Sequence, residues 1–440
     1  MLLRFGCSNY LSIKDFQEIS LISKSAFKEQ PESLLHSQHS QQNGLRVIAI
    51  YGANAAGKTN IVNSLLFMSR MVRSSHRSFL PDSDVPIQQF ALNESSRSDH
   101  SHFECDFLES GIRYSYGFSI QNGKISKEFL YAFPNRVKQV WYSRDESIVG
   151  SGRFQFGRSL KGRNALISDL TRNNSLFLSA AAQQGHEQLK PVYQFFTKEL
   201  HKGEAIGSDD QKTLVELLNS EKRDWLLKFV TNADFGIEEF KVETEEMSPA
   251  VIRVVSQMFS AVVQEEENED NKKRASEAFE KLRTNPDFSK KINVSLGHRS
   301  SSGKPIFMPW ESESEGTKRL FMIMAPVLKA LESGGITIVD EIDASLHTLL
   351  VLKVIELYKS PSLNPKGAQL IFTTHDTNIL CSEILRRDEI YFVEKNRGGE
   401  STVYSLADFP VRKDDNFEKG YLQGRFGAIP FIGDIEAIST

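Results

Sequence analysis

Hydrophobic and polar positions fall into three regimes along this chain. Near the N-terminus, short apolar runs alternate with polar turns. Residues 2–7 and 18–22 are strand candidates, and 31–44 (PESLLHSQHSQQNG) is a polar loop. The β-branched run 46–51 (RVIAIY) ends at Gly52 and fits a buried strand. After it, Ile61, Leu65, Met68 and Met71 recur at helical spacing within 59–73. Residues 103–133 alternate, broken by Gly111 and by Asn122-Gly123, which predicts an antiparallel meander with a tight hairpin turn. The middle, 164–283, reads as mostly helical, with heptad-like Leu214, Leu217 and Leu218. In the last third, 336–339, 369–373 and 391–394 are short apolar strands with helices between them, the pattern of a mainly parallel sheet.

The strand before residue 52 and those beyond 335 belong to one kind of domain, so both ends of the chain must assemble it. Three segments are expected: 1–135, holding the first part of an α/β head with the meander; 136–300, a mainly helical insertion; and 301–440, the rest of the head.

Composition changes this picture little. Of 440 residues, 40% are hydrophobic and 30 are Phe, enough for a sizeable core. The net charge of −4 argues against coating nucleic acid by global charge and leaves a local basic groove open. The acidic run 265–270, followed by Lys272, Lys273 and Arg274, reads as a solvated helix end or loop. Three scattered cysteines, Cys7, Cys105 and Cys381, form no CxxC pair, so neither a disulfide framework nor a zinc site is expected, and a cytoplasmic setting fits. The opening residues lack an apolar signal-peptide core, and no apolar run reaches roughly 18 residues, so no membrane span is expected.

The chemistry-bearing residues sit where strands end. Gly52-Ala-Asn-Ala-Ala-Gly57-Lys58-Thr59 fits G-x-x-x-x-G-K-[ST] between a strand and a helix. Its glycines let backbone N–H groups wrap phosphates at a helix N-terminus. Lys58 is placed to reach the β- and γ-phosphates, and the Thr59 hydroxyl to bind Mg²⁺. Asn54 inside the loop and Asn60 after it complete the candidate nucleotide contacts. The strand 336–339 ends in Asp340-Glu341: Asp340 is a candidate for Mg²⁺, and Glu341 for orienting or deprotonating water. Ser314-Glu-Gly316 opens a helical run 24 residues, counted from Gly316, before Asp340 and offers an anion site without a lysine. His375, after the strand 369–373, can meet a γ-phosphate, and Asp343-Ala-Ser-Leu-His347 forms a turn suited to an interface.

In this order, the motifs resemble the ABC ATPase superfamily, in its RecF/SMC/OLD-like soluble branch. The resemblance implies an α/β P-loop head with a mixed sheet flanked by helices, binding ATP and Mg²⁺. It makes Ser314 and Gly316 a signature that caps the nucleotide of a second copy, so that whole sites form in a head-to-tail dimer. His375 becomes the switch histidine and 343–347 the D-loop. The signature departs from the usual form at Glu313, Glu315 and Thr317, and Glu315 adds negative charge, so slow turnover is expected. Gln88 and Gln89 are the candidates for the Q-loop, with a chance polar loop as the alternative.

The segments NYLSIKD (9–15), ESEGT (313–317), DEIDASLH (340–347) and GYLQGRFGAIP (420–430) are similar to bacterial RloA/AbiL-type ATPases and the ATPase subunit of PARIS-type anti-phage systems. That likeness implies a sensor or regulatory subunit beside a separate effector, such as a TOPRIM-type nuclease or a toxin, answering a phage-derived trigger. The alternative is a RecF-like, DNA-binding ATPase of repair or chromosome maintenance. A third reading keeps ATP as a structural ligand. About 45 residues follow the last strand, too few for a nuclease domain of typical size. Arg412, Lys413 and the Gly424–Gly427 turn read as a packing motif, with Arg425 in an ion pair, in preference to a nucleic-acid patch. Cys105 and Cys381 read as core, and His298 and His347 as polar fillers or caps.

Overall fold

The computed structural model describes residues 1–430 except 37–41, 149, 199, 204–209, 234, 266–271, 274, 278, 281–283 and 285–289. Part of the polar loop 31–44, and 266–270 with Arg274 of the charge run, therefore lie outside the described residues. The chain divides into two compact units: Met1–Glu204 with Pro326–Thr440, and Ala205–Ala325.

The first unit holds two sheets. One has seven antiparallel strands: β1 (Leu2–Ser8), β2 (Gln17–Ser20), β4 (Ser101–Glu109), β5 (Ile112–Gln121), β6 (Lys124–Phe133), β7 (Gln139–Asp145) and β8 (Phe154–Phe156), in the order β2-β1-β4-β5-β6-β7-β8. Asn122 and Gly123 join β5 to β6 with φ of 49° and 69°, the double left-handed turn that matches strand twist. The other sheet orders β16 (Ser401–Ser405), β15 (Ile390–Lys395), β3 (Val47–Tyr51), β14 (Gln369–Thr373), β13 (Ile336–Val339) and β9 (Leu200–Gly203) side by side. All its pairings are parallel except β15 with β16. β3 and β14 are buried throughout, which is why they read as continuous apolar runs instead of alternating.

Helix α1 (Lys58–Ser78) turns Ile61, Leu65, Met68 and Met71 into the core. Ile61, Val62 and Leu65 share a small apolar cavity with Phe5 and Ile19 of the antiparallel sheet, Leu21 just after it, and Ile50, Ile338 and Ile371 of the parallel one. One core thus serves both sheets. Buried Gln369 ties them, accepting from Leu2 N at 2.7 Å and donating to Leu2 O and Leu45 O at 3.1 and 2.9 Å. Behind α1 lie α2 (Asn164–Leu170), α3 (Phe177–Gln183) and α4 (Lys190–Lys198), with Phe195 stacked on Phe107 at 4.0 Å. Buried Glu128 accepts from the Tyr116 and Tyr142 hydroxyls and from Phe177 N and Leu178 N at the start of α3. Desolvation raises its pKa.

The second unit contains α5 (Asp210–Leu218), α6 (Arg223–Asn232), α7 (Pro249–Glu265) and an antiparallel sheet, β10 (Ile237–Glu246), β11 (Lys290–His298) and β12 (Ile306–Pro309). Leu214, Leu217 and Leu218 are buried on α5. Helix α8 (Glu315–Ser333) begins here and continues into the first unit's sequence, which resumes at Pro326.

These bounds differ from the expected insertion at 136–300. Residues 139–145 and 154–156 extend the antiparallel sheet, since Val140, Trp141 and Tyr142 suit a pleated surface. The helices of 164–198 pack in the first unit, and 200–203 is an edge strand of its parallel sheet. Within the stretch read as helical, β10 hides its alternation under five glutamates.

Candidate nucleotide-binding site

The parallel register aligns Thr373 with Ile50 and Phe372 with Val339, so β3, β14 and β13 end at one level. Gly52, Asp340 and Thr374 follow those ends, and the loop 52–57 runs from β3 into α1. Gly57 is the N-cap of α1 with φ 110°, and Gly52 packs so closely that a Cβ there would lie 2.4 Å from Val393 O. Neither position accepts another residue without strain.

The carbonyls of Gly52, Ala53, Ala56 and Gly57 are occupied, while most of the loop's N–H groups are left over. Lys58 Nζ donates to Gly52 O at 2.9 Å and Ala53 O at 3.1 Å. Among the described residues, no backbone acceptor takes the N–H groups of Ala55, Gly57, Lys58 or Thr59. A ring of unpaired N–H groups at a helix start is the donor set that polyphosphate oxygens require, so the residues fit ATP.

Lys58 Nζ also lies 2.9 Å from His375 Nε2. An ammonium only donates, so His375 is neutral here and accepts through Nε2. Burial lowers the pKa of Lys58, against the pull of Glu341, Asp340 and Asp343. Burial also lowers that of His375, with the Lys58 charge acting in the same direction and the three carboxylates opposing. The main-chain N–H of His375 faces the Asp343 carboxylate at 3.3–3.4 Å. Asp340 Oδ1 accepts from Thr373 Oγ1 at 2.6 Å, and that hydroxyl oxygen accepts from Glu341 N at 2.7 Å. Thr373 thereby sets the directions of both carboxylate-bearing residues, and Glu341 sits in the left-handed region at φ 49°. Thr59 and Glu341 are exposed and Asp340 half-buried, a donor set of hydroxyl and carboxylate oxygens that suits Mg²⁺.

The model of a family described as "AAA domain, putative AbiEii toxin, Type IV TA system" matches residues 47–381. The chain belongs to this AAA family. No curated protein matches it. Among solved structures it is similar to a crystal structure of the "SmcHead bound to the C-winged helix domain of ScpA". The identity is 15% over 92% of this chain and 97% of that one, with a TM-score of 0.37. Among the described residues, no helix is long and apolar enough to cross a membrane.

In this AAA chain the structure brings Gly52, Gly57, Lys58, Asp340 and His375 together around one loop, with Thr59 at its exit and Asn54 exposed on it. Asn60 takes another course: its amide donates to Ser12 Oγ at 2.6 Å. Gln88 contributes its main chain, accepting from Leu11 N, and Gln89 Nε2 donates to Asp99 O. His347 caps α9 (Thr348–Lys359) by accepting from Leu349 N. Arg425 pairs with Asp415 at 3.6 Å.

In the second unit, Ser314 caps α8. Its Oγ accepts from Thr317 N at 3.1 Å, and the residue is exposed. Glu313 is buried and pairs with His298 Nε2 at 2.8 Å, and Trp310 packs edge-on against Phe321. These contacts fix the chain just before Ser314, while Glu315 reaches Lys318 at 3.6 Å. Sequence reasoning passes over Thr373 and gives His298 no specific partner. A hydroxyl at a strand end after Asp-Glu is the signal for the first. Only tertiary pairing reveals the second.

Proposed function

We propose that this AAA chain is an ABC-type ATPase that works as an ATP-dependent head-to-tail dimer and controls a separate effector in an anti-phage system. The Lys58–His375 contact carries the ATPase part of the reading, because it joins the phosphate loop to a residue shortly after β14, beside the Asp340-Glu341 pair. Gly52, Asn54, Gly57, Lys58 and Thr59 would hold the phosphates, and Thr59 and Asp340 would hold Mg²⁺. Bound Mg²⁺ would neutralise phosphate charge. Glu341 orients and deprotonates the attacking water. His375 leaves Lys58 for the γ-phosphate, since a phosphate oxygen competes for the same ammonium. Ser314 and Gly316 face the nucleotide of the second copy, where the capped helix start offers N–H groups and a positive dipole end. The family description, with its toxin of a toxin–antitoxin system, supports a two-component arrangement.

Light scattering on Glu341→Gln protein tests the dimer. ATP with Mg²⁺ should raise the mass, and adding Ser314→Arg should abolish the rise. A mass indifferent to both ATP and the arginine removes Ser314 from the site. Salt-dependent DNA binding by the chain alone, with DNA-stimulated turnover, would replace the effector half by the RecF-like reading.

A further inference from the structure

Three segments far apart in sequence meet behind the phosphate loop. Ser401 Oγ, at the start of β16, lies 2.6 Å from Ala56 O and 2.7 Å from Ser12 Oγ. Asn60 Nδ2 donates to Ser12 Oγ at 2.6 Å, and Ser401 N donates to Ser12 O at 2.7 Å. Further out, Lys14 Nζ pairs with Glu400 at 2.6 Å. Both hydroxyls press on Gly57: a Cβ there would lie 2.2 Å from Ser401 Oγ and 2.7 Å from Ser12 Oγ.

The turn that delivers Ser12 is itself held in an unfavourable shape. Asn9 and Leu11 have φ of 50° and 52°, and Leu gains nothing locally from the left-handed region. Such a conformation persists only where its surroundings over-determine it. Here Asn9 Nδ2 donates to Ser96 O and Asp99 O, its Oδ1 accepts from Phe90 N, and Leu11 N donates to Gln88 O. One side of the turn is anchored on the segment 88–90, and the other side presents a hydroxyl to the loop.

We infer that Ser12 and Ser401 are positioning residues for the nucleotide phosphates, joined by Asn60 into one clamp; this rests on the nucleotide-binding reading above. The argument is peptide geometry. In a trans peptide the C=O and the next N–H point in opposite directions. Ser401 holds Ala56 O on the outer side of the loop, so the Gly57 N–H is turned to the inner side, where phosphate oxygens bind. Without the hydroxyl, Ala56 O loses the Ser401 hydrogen bond and the peptide is free to rotate, withdrawing a donor. The clamp also makes the phosphate loop depend on the N-terminal turn and on β16.

The test is Ser401→Ala and Ser12→Ala in the full chain, with binding of a fluorescent ADP in Mg²⁺ and steady-state ATPase kinetics, each at a temperature below the variant's melting point. Asn60→Ala serves if either serine variant does not fold. Each single change should weaken ADP about tenfold and raise KM in step, with kcat nearly unchanged. The double variant should lose little more than either single one, because the hydroxyls act as one unit. A lowered melting temperature with wild-type ADP affinity would make the clamp mere packing and overturn the inference. Wild-type protein that binds no nucleotide would overturn the nucleotide reading first, a result distinct from variants that match a binding wild type.

Discussion

The two sheets of the first unit are built on opposite plans. The antiparallel sheet is mostly local: β4 to β8 follow one another through short connections, and its polar interior is a closed arrangement around Glu128. The parallel sheet is non-local: β3 pairs with β14 and β15, which come from the far end of the chain. All the candidate chemistry in this unit lies at the ends of the second kind of strand. A parallel sheet collects loops from distant segments at one edge, whereas a meander returns each loop to its own neighbourhood.

The strongest way to break this contrast is at the parallel edge. Glu341→Gln should cut turnover by about 10²–10⁴-fold while keeping nucleotide binding, measured by phosphate release. Unchanged turnover would leave ATP as a structural ligand. The shared core comes next. Phe103 of β4 packs against Tyr10, Phe67 and Phe118. Phe103→Ala should cost about 3–5 kcal/mol in urea unfolding and damage nucleotide binding as well, because one core serves both sheets. A confined effect belongs to the meander's tip. Gly123→Ala places a side chain at φ 69° against Asp84 and should cost about 1–3 kcal/mol without changing nucleotide affinity.

The smallest effect sharpens the comparison by pH. Burial lowers the pKa of His76, His186 and His201, each below its ordinary 6.5. The unfolded chain then binds more protons than the folded one as pH falls through about 6.5, so stability is lost on acidification. The melting temperature should drop from neutral pH toward pH of about 5.5, and His186→Gln should blunt the drop. His186 accepts from Leu189 N through Nδ1 and faces Asn164 Oδ1 with Nε2, an arrangement that needs a neutral ring.

Legibility in the sequence follows the same divide. β13 and β14 show as Ile336–Val339 and Gln369–Thr373 because buried strands are unbroken apolar runs, and the hairpin shows as Asn-Gly because few residues accept two left-handed positions. β9 was hidden: Leu-His-Lys-Gly is four residues long, half polar, and follows a helix directly. β10 was hidden by its glutamates. At the site, residues within motifs could be named from spacing alone, since strand, loop and helix follow in order. Thr373, Ser12 and Ser401 could not, because each acquires its role from a partner that only the folded chain brings near.

The wide separation of β3 from its neighbours also bears on how the chain is made. β3 leaves the ribosome early, but the residues that flank it, beginning at Leu370, follow roughly 320 positions later. At typical synthesis rates that is a wait of roughly 15 to 60 s. During that interval a five-residue apolar strand has both edges open, and Leu2 lacks Gln369, 367 residues downstream. The meander can form meanwhile, whereas the phosphate loop cannot take its final shape until β14, His375 and Ser401 arrive. Nascent chains released early should therefore retain a folded antiparallel half and be drawn to chaperones through β3, a liability that the finished protein no longer shows.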